Sequence, residues 1–315
     1  MNRSVVVLSV VAAVSVGTPL ILAALGEILA ERVGVMNLGV EGMMLLGAVV
    51  GIAGTFATGD PWIGLGLAGL AGMGMAVFQA FAAITLRVNQ IVSGLALVII
   101  GTGLSGYLGQ LPTPLLTERE AVERFGPLFG GSVSDLPIVG PVLLGHDAVV
   151  YLSWLLVAVA SYYLFHTRLG LAARAVGEDP ATADASGIRV GAVRYVHTLV
   201  GGFLAGIGGG YLSIAITGIW QEGITAGAGW IAFALVSFSG WRPGRALVAA
   251  YVFGALISLS FTLQIQGIEI PSDLLAGIPF VLTLFALIVI TASPKLRPKM
   301  HPPAALGIPY SRESR

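Results

Sequence analysis

Long runs without charge dominate this chain. Val5 to Leu25 contains no charged side chain, and further apolar runs follow at about 39–57, 62–86, 91–110, 147–166, 196–218, 226–240, 245–265 and 274–292. About 20 apolar residues make a helix long enough to cross the hydrocarbon core of a bilayer. Lipid offers no water to backbone N–H and C=O groups, so each run must satisfy them internally, as a helix. The composition agrees: 56% of residues are hydrophobic and 10% charged, with a mean hydropathy of +0.91. Soluble domains carry about 25% charged residues. The expected fold is all-α, a polytopic transmembrane helical bundle of about nine spans (8–10). The run 226–240 is short and reads as a possible half-helix.

The first run follows Arg3 and is longer than the roughly 7–15 residues of a signal-peptide core, so it reads as a retained span. Orientation follows from arginine and lysine in short loops. Arg168, Arg174, Arg189 and Arg194 cluster in the polar loop 167–195. Arg87, Arg242 and Arg245 mark tight turns, and Lys295, Arg297, Lys299, Arg312 and Arg315 lie in the tail. Placing all of these in the cytoplasm agrees with alternation through the spans and puts the N-terminus outside. A re-entrant segment at 26–37 would add a crossing and reverse that. The expected organisation is one membrane domain, 1–294, and a cytoplasmic tail, 295–315.

Several chemistries are disfavoured. Net charge is zero and cysteine is absent, which gives no sign of nucleic acid and excludes thiolate metal sites and cysteine nucleophiles. His146, His166, His197 and His301 have no metal-ligand spacing and lie near span ends or in the tail. No catalytic or metal residue is assigned. No Gly-x-x-x-x-Gly-Lys-Ser/Thr loop occurs, so the chain is not expected to hydrolyse ATP. Gly208, Gly209 and Gly210 lie inside a span and read as helix packing.

Two places break the apolar pattern at membrane depth. One runs from Gly26 and Glu27 through Glu31, Gly34, Asn37, Gly39 and Glu41 to Gly42. The other runs from Gly218 through Trp220 and Glu222 to Gly227 and Gly229. Unwound backbone is tolerated in a membrane only where it is buried in protein or lines a water-filled path, and paired interruptions are a feature of inverted repeats. No clear identity links the two halves. Intramembrane polar groups are functional candidates, so Asn37, Gly39, Glu41, Asn89 and Trp220 are the candidate substrate pathway. For Glu41 the other reading is satisfaction of backbone amides at a helix start. For Asn89, beside Gln90, it is capping of the next span.

The loop 167–195 has a legible local design. Gly177 can end one short helix, Glu178 or Asp179 can cap the next, and Pro180 suits its first turn. Pro180–Ser186 is then a helix of small residues stopped by Gly187. It reads either as a surface helix joining two spans or as one that enters a groove on another protein.

Arg174–Pro180 with Ser186-Gly187-Ile188 resembles the cytoplasmic coupling loop of ABC importer permeases of the branched-chain amino acid and simple-sugar superfamily. Asp179 stands where those loops have Asn, and Ser186 where they have Ala. Glu31-Arg32-Val33-Gly34-Val35-Met36-Asn37-Leu38-Gly39-Val40-Glu41-Gly42-Met43-Met44 is similar to the signature of the nucleoside (guanosine-type) branch. Arg87-Val88-Asn89-Gln90-Ile91-Val92-Ser93-Gly94 matches a further family turn. Trp230-Ile231-Ala232 and Trp241-Arg242-Pro243 match less closely, which leaves substrate choice open. The resemblance spans about 25–295.

That resemblance implies a permease subunit of an ATP-driven importer for nucleosides or a related simple sugar, in a bacterial inner membrane. A separate ATPase subunit, which holds ATP and Mg, would dock on the coupling helix through Arg174, Gly177, Glu178, Asp179, Pro180 and Gly187. No cofactor would be bound by this chain. A second, longer permease and an extracytoplasmic solute-binding protein would complete the complex; the outer loop 111–146, with its charged residues at 118–124, reads either as a solvated loop or as a contact for the binding protein. An ion-coupled secondary transporter is the alternative, thinly supported by Glu27, Glu41 and Glu222. A membrane-embedded enzyme would need a converging catalytic set that the spans lack.

Overall fold

The computed structural model describes residues 3–111, 124–129, 140–265 and 301–311, together with helical positions 277, 281, 284, 285, 288 and 292. The described residues are helical, apart from turns and one isolated bridge between Pro127 and Asp147. The helices are α1 (Arg3–Arg32), α2 (Val40–Thr58), α3 (Pro61–Ala80), α4 (Gln90–Gly109), α5 (Ala148–His166), α6 (Arg168–Glu178), α7 (Pro180–Ala185), α8 (Val190–Tyr211), α9 (Ala228–Ser239) and α10 (Pro243–Ile265). Wider π turns continue α3 through Phe81–Thr85 and α8 through Leu212–Thr217. Six helices among the described residues are long and apolar enough to cross a membrane; α9 and the segment Pro243–Leu259 of α10 are apolar but shorter. The expected span at 274–292 and the charged outer segment 118–123 lie largely or wholly outside the described residues.

Short polar residues set the helix starts. Asp60 accepts from the N–H of Trp62 at 2.8 Å ahead of Pro61, and Gly59, at φ +72°, closes α2, so α2 and α3 form a tight hairpin. Asp147 caps α5 through the N–H groups of Val149 and Val150, while its other oxygen accepts from the Tyr211 hydroxyl of α8 at 2.7 Å.

α8 is the axis of the bundle. A Cβ on Gly208 would press on the Pro19 carbonyl of α1, one on Gly209 would strike the Met44 carbonyl of α2, and one on Gly210 would crowd Ala68 of α3. Three consecutive glycines thus let three helices approach one backbone, which is the packing role expected of them. Around this axis Leu20, Ile21, Met43, Met44, Leu204 and Leu235 are buried in the main core cluster. On α4, by contrast, Val92, Ile99, Ile100 and Tyr107 are exposed. That is an apolar surface suited to lipid or to another membrane subunit.

Two sequence boundaries move. α1 does not stop at Leu25 but continues to Arg32, so the first interruption is confined to 33–39. Glu27 and Glu31 do not break the helix, because each finds a donor inside the protein: the N–H of Asn37 for Glu27 and the indole N–H of Trp241 for Glu31. The loop 167–195 likewise shrinks. α8 starts at Val190, and Arg194 is a buried helical residue, 1% exposed, whose Nε donates to the Val33 carbonyl at 3.1 Å.

Candidate functional site

The two interruptions meet. Gly34 takes a left-handed φ of +84°, and the chain turns back along α1 until the N–H of Asn37 reaches Glu27 Oε1 at 2.9 Å. α2 then begins at Val40. The second interruption, 218–227, passes through left-handed residues at Gly218, Gly223, Ala226 and Gly227 before α9 starts. α9 is 12 residues long, about 18 Å, well short of the roughly 30 Å hydrocarbon core. It is therefore the short helix that the run 226–240 suggested.

Glu41 joins the two. Its Oε1 accepts from the Thr225 hydroxyl and from the N–H of Gly227 at 3.1 Å, and its Oε2 from the N–H of Gly229 at 2.6 Å. No side chain local to α9 caps it. A carboxylate from α2 performs that task across the bundle, where the positive end of the α9 dipole favours it. Glu41 is 6% exposed, so the amide-satisfying reading of this residue describes its contacts.

The other pathway candidates are placed as follows. Asn37 is 1% exposed; its Nδ2 donates to the Met43 sulfur at 3.5 Å, while Oδ1 has no hydrogen-bond partner. Gly39 precedes α2 in helical conformation, close against Leu97 of α4. Gly42 is helical, and a Cβ there would strike the Leu97 carbonyl; these two glycines serve close packing rather than unwinding. Asn89 is exposed and caps α4 through the N–H groups of Ile91 and Val92. Trp220 lies over Gly109, with its indole N–H 3.4 Å from Ser105 Oγ. Asn37, Gly39 and Glu41 thus stand together, Trp220 belongs to the second interruption, and Asn89 sits at the α3–α4 turn.

Sequence patterns did not reveal a buried amide cluster beside Asn37. Gln90 Oε1 accepts from the N–H of Met36 at 2.7 Å, and Gln79 Nε2 donates to the Met36 carbonyl at 3.1 Å. Both glutamines are buried. A glutamine alone inside the apolar run 62–86 was the available signal.

At one end of the bundle the α6–α7 loop follows its sequence except at Gly177, which does not end α6: the helix runs on to Glu178, and Asp179 both closes it and starts the next. Asp179 accepts from the N–H groups of Ala181 and Thr182 at 3.0 and 3.1 Å, Pro180 is the first residue of α7, and Gly187 ends it at φ +86°. The Thr182 hydroxyl, followed by its N–H, holds the Asp179 carboxyl below the usual carboxylate range. Ala181, Thr182, Ala185 and Ser186 are exposed, whereas Ala183 packs with Val33, Val176 and Val190.

The loop is fastened from behind. Gly177 lies so close to the Arg32 carbonyl that a Cβ would collide with it. Arg174, Arg32 and Arg242 surround the Phe165 ring at 5.4, 5.6 and 5.7 Å. The tail segment 301–311 crosses the loop: Ala305 N–H donates to the Gly177 carbonyl, Ala304 N–H to Glu178 Oε2 at 3.3 Å, and Gly307 N–H to the Gly34 carbonyl. Residues 301–311 of the C-terminal segment thus pack against the helical bundle, and Glu178 already holds one contact within the chain.

The family profile described as "Branched-chain amino acid transport system / permease component" matches residues 9–287. The chain belongs to this permease family. The permease is 41% identical over 292 residues to the "Putative glucose ABC transporter permease protein" of Haloferax volcanii, covering 90% of this chain and 87% of the relative. It is 33% identical over 308 residues to the guanosine ABC transporter permease protein of Bacillus subtilis, covering 94% of each. The nucleoside ABC transporter permease protein of Lactococcus lactis is 34% identical over 282 residues, covering 86% of this chain and 88% of the relative. In fold, the permease resembles the solved structure described as "An inward-facing conformation of a putative metal-chelate type ABC transporter", with a TM-score of 0.53 at 17% identity, covering 90% of this chain and 85% of that one. The permease is a multi-pass membrane protein, and its relatives are permease subunits of ABC transporters. Nothing in these likenesses supports an ion-coupled secondary transporter.

Proposed function

We propose that this permease is the membrane subunit through which an ATP-driven importer moves nucleosides or a related simple sugar. The observation that carries the reading is α7. It is a short helix of small residues, capped by Asp179 and presenting Ala181, Thr182, Ala185 and Ser186 outward. Such a helix can enter a groove on a separate ATPase, and Gly177 behind it abuts the end of α1. Movement of α7 is thereby passed to α1 and to the interruption at 33–39. Rearrangement between α2 and α9, which Glu41 ties together, then opens the solute path past Asn37 on one side or Trp220 on the other.

In this reading the α6–α7 end faces the cytoplasm of a bacterial cell. ATP and Mg belong to the partner ATPase, a second and longer permease completes the pore, and an extracytoplasmic binding protein delivers the solute. Guanosine and glucose permeases among the relatives frame the choice of solute. The reading is tested with the complex reconstituted in proteoliposomes and supplied with its binding protein. Uptake of labelled guanosine, adenosine, ribose and glucose is compared. Saturable, ATP-dependent uptake of at least one supports it; uptake of none, with an ATPase that remains active, contradicts it.

A further inference from the structure

At the α6–α7 end, a cavity of about 440 Å³ opens between the α3–α4 turn, the start of α8 and the C-terminal segment. Arg87, Arg189 and Arg194 line it against one carboxylate, Asp184. Val190, Gly191 and Ala192 line it as well. They are the first turn of a 22-residue helix without a side-chain cap. No atom lies within 4 Å of the place a Cβ would occupy at Gly191, so a ligand can reach the backbone there. A helix start rich in unpaired N–H groups favours an anion.

Arg194 provides an independent observation. It is buried within the protein, its Nε and Nη1 donate to the carbonyls of Val33 and Ile308, and its Nη2 has no hydrogen-bond partner. That Nη2 is enclosed beside Gly34 and away from the opening, so Arg194 acts on the cavity through its fixed positive charge, which favours an anion there. Beyond the cavity, Leu86 and Val88 are exposed on either side of Arg87. An apolar surface therefore adjoins the charged one.

We propose that this cavity binds a phosphate group, carried by a phospholipid headgroup or by a soluble phosphate ester. Arg87 and Arg189 hold its outer oxygens, the first turn of α8 faces it, and Arg194 lies at its back. Tyr310 and Ser311 also line the cavity. The occupied site therefore holds the C-terminal segment against α8, and through Gly177 against the α6–α7 loop. The proposal is independent of the transported solute.

The test uses the full-length permease. In detergent, binding of inorganic phosphate and glycerol 3-phosphate is measured by calorimetry. In parallel, native mass spectrometry reads retention of phosphatidylglycerol against phosphatidylcholine. The Arg87→Gln/Arg189→Gln variant is compared with Arg87→Lys/Arg189→Lys, and thermal unfolding checks that both are folded. The expected result is binding of at least one anionic probe, weakened at least tenfold by the glutamine pair and less by the lysine pair. Soluble phosphate binding identifies an ester; selective retention of phosphatidylglycerol alone identifies a headgroup. If the native chain binds neither, or if the glutamine pair binds as well as the native chain, the proposal is overturned.

Discussion

Glu41 Oε2 accepts a 2.6 Å hydrogen bond from the N–H of Gly229, 188 residues further along the chain. One carboxylate thereby ties the start of α2 to the start of α9 and holds the two interruptions together. Replacing it leaves the Thr225 hydroxyl and two backbone N–H groups without their acceptor. Glu41→Ala should lower stability by about 3 kcal/mol or more, and Glu41→Gln, which keeps one acceptor oxygen, by about 1–2 kcal/mol. Thermal unfolding of the purified permease checks this. An unchanged midpoint in Glu41→Ala with transport abolished would assign Glu41 to the solute path instead.

The glycines of α8 should be intolerant in a position-specific way. Gly209→Ala drives a methyl group into the Met44 carbonyl and should cost about 1–3 kcal/mol. Gly74→Ala, in α3 with open space around it, should be neutral or stabilising by up to about 1 kcal/mol. The same unfolding assay separates them, and equal midpoints would contradict close packing on α8.

These two cases show how far the sequence could be read. Hydrophobic runs and caps such as Asn89 and Asp179 are local, so the helices and the α6–α7 turn were legible, and Gly208–Gly210 announced close packing. Partners distant in sequence were not. Nothing near Glu41 points to Gly229, nothing near Glu31 points to Trp241, and Arg194 looked like a loop charge because its acceptors lie on Val33 and Ile308. The packing of 301–311 was hidden for the same reason, since its bonds are made by backbone groups that any sequence carries.

The α7 cap should respond to pH in a defined direction. The Asp179 carboxyl lies below its ordinary value because it accepts from the Thr182 hydroxyl and N–H. Its stabilising effect is thus fully present above the unfolded carboxylate value of about 3.9 and is lost as pH falls through the lower, folded value. Thr182→Val removes the hydroxyl and should move the Asp179 titration upward, toward that ordinary value. A carbon-13 titration of labelled aspartate in the full permease reads this, and an unmoved titration would contradict the assignment.

Removal of 301–315 should loosen the coupling loop. The Gly177 carbonyl and Glu178 lose the N–H groups of Ala305 and Ala304. Amide hydrogen exchange in 174–186 should speed up about tenfold, the effect of losing roughly 1.4 kcal/mol of local protection. Unchanged exchange there would show that the tail does not brace α7.

The most direct test of the central claim is solute uptake by the reconstituted complex with Glu178→Lys/Asp179→Lys in the permease. The account predicts that native vesicles take up solute with ATP and not with an ion gradient. It also predicts that the variant stays folded but loses both ATPase retention and uptake. Undiminished uptake in the variant, or uptake driven by an ion gradient without ATP, would contradict it.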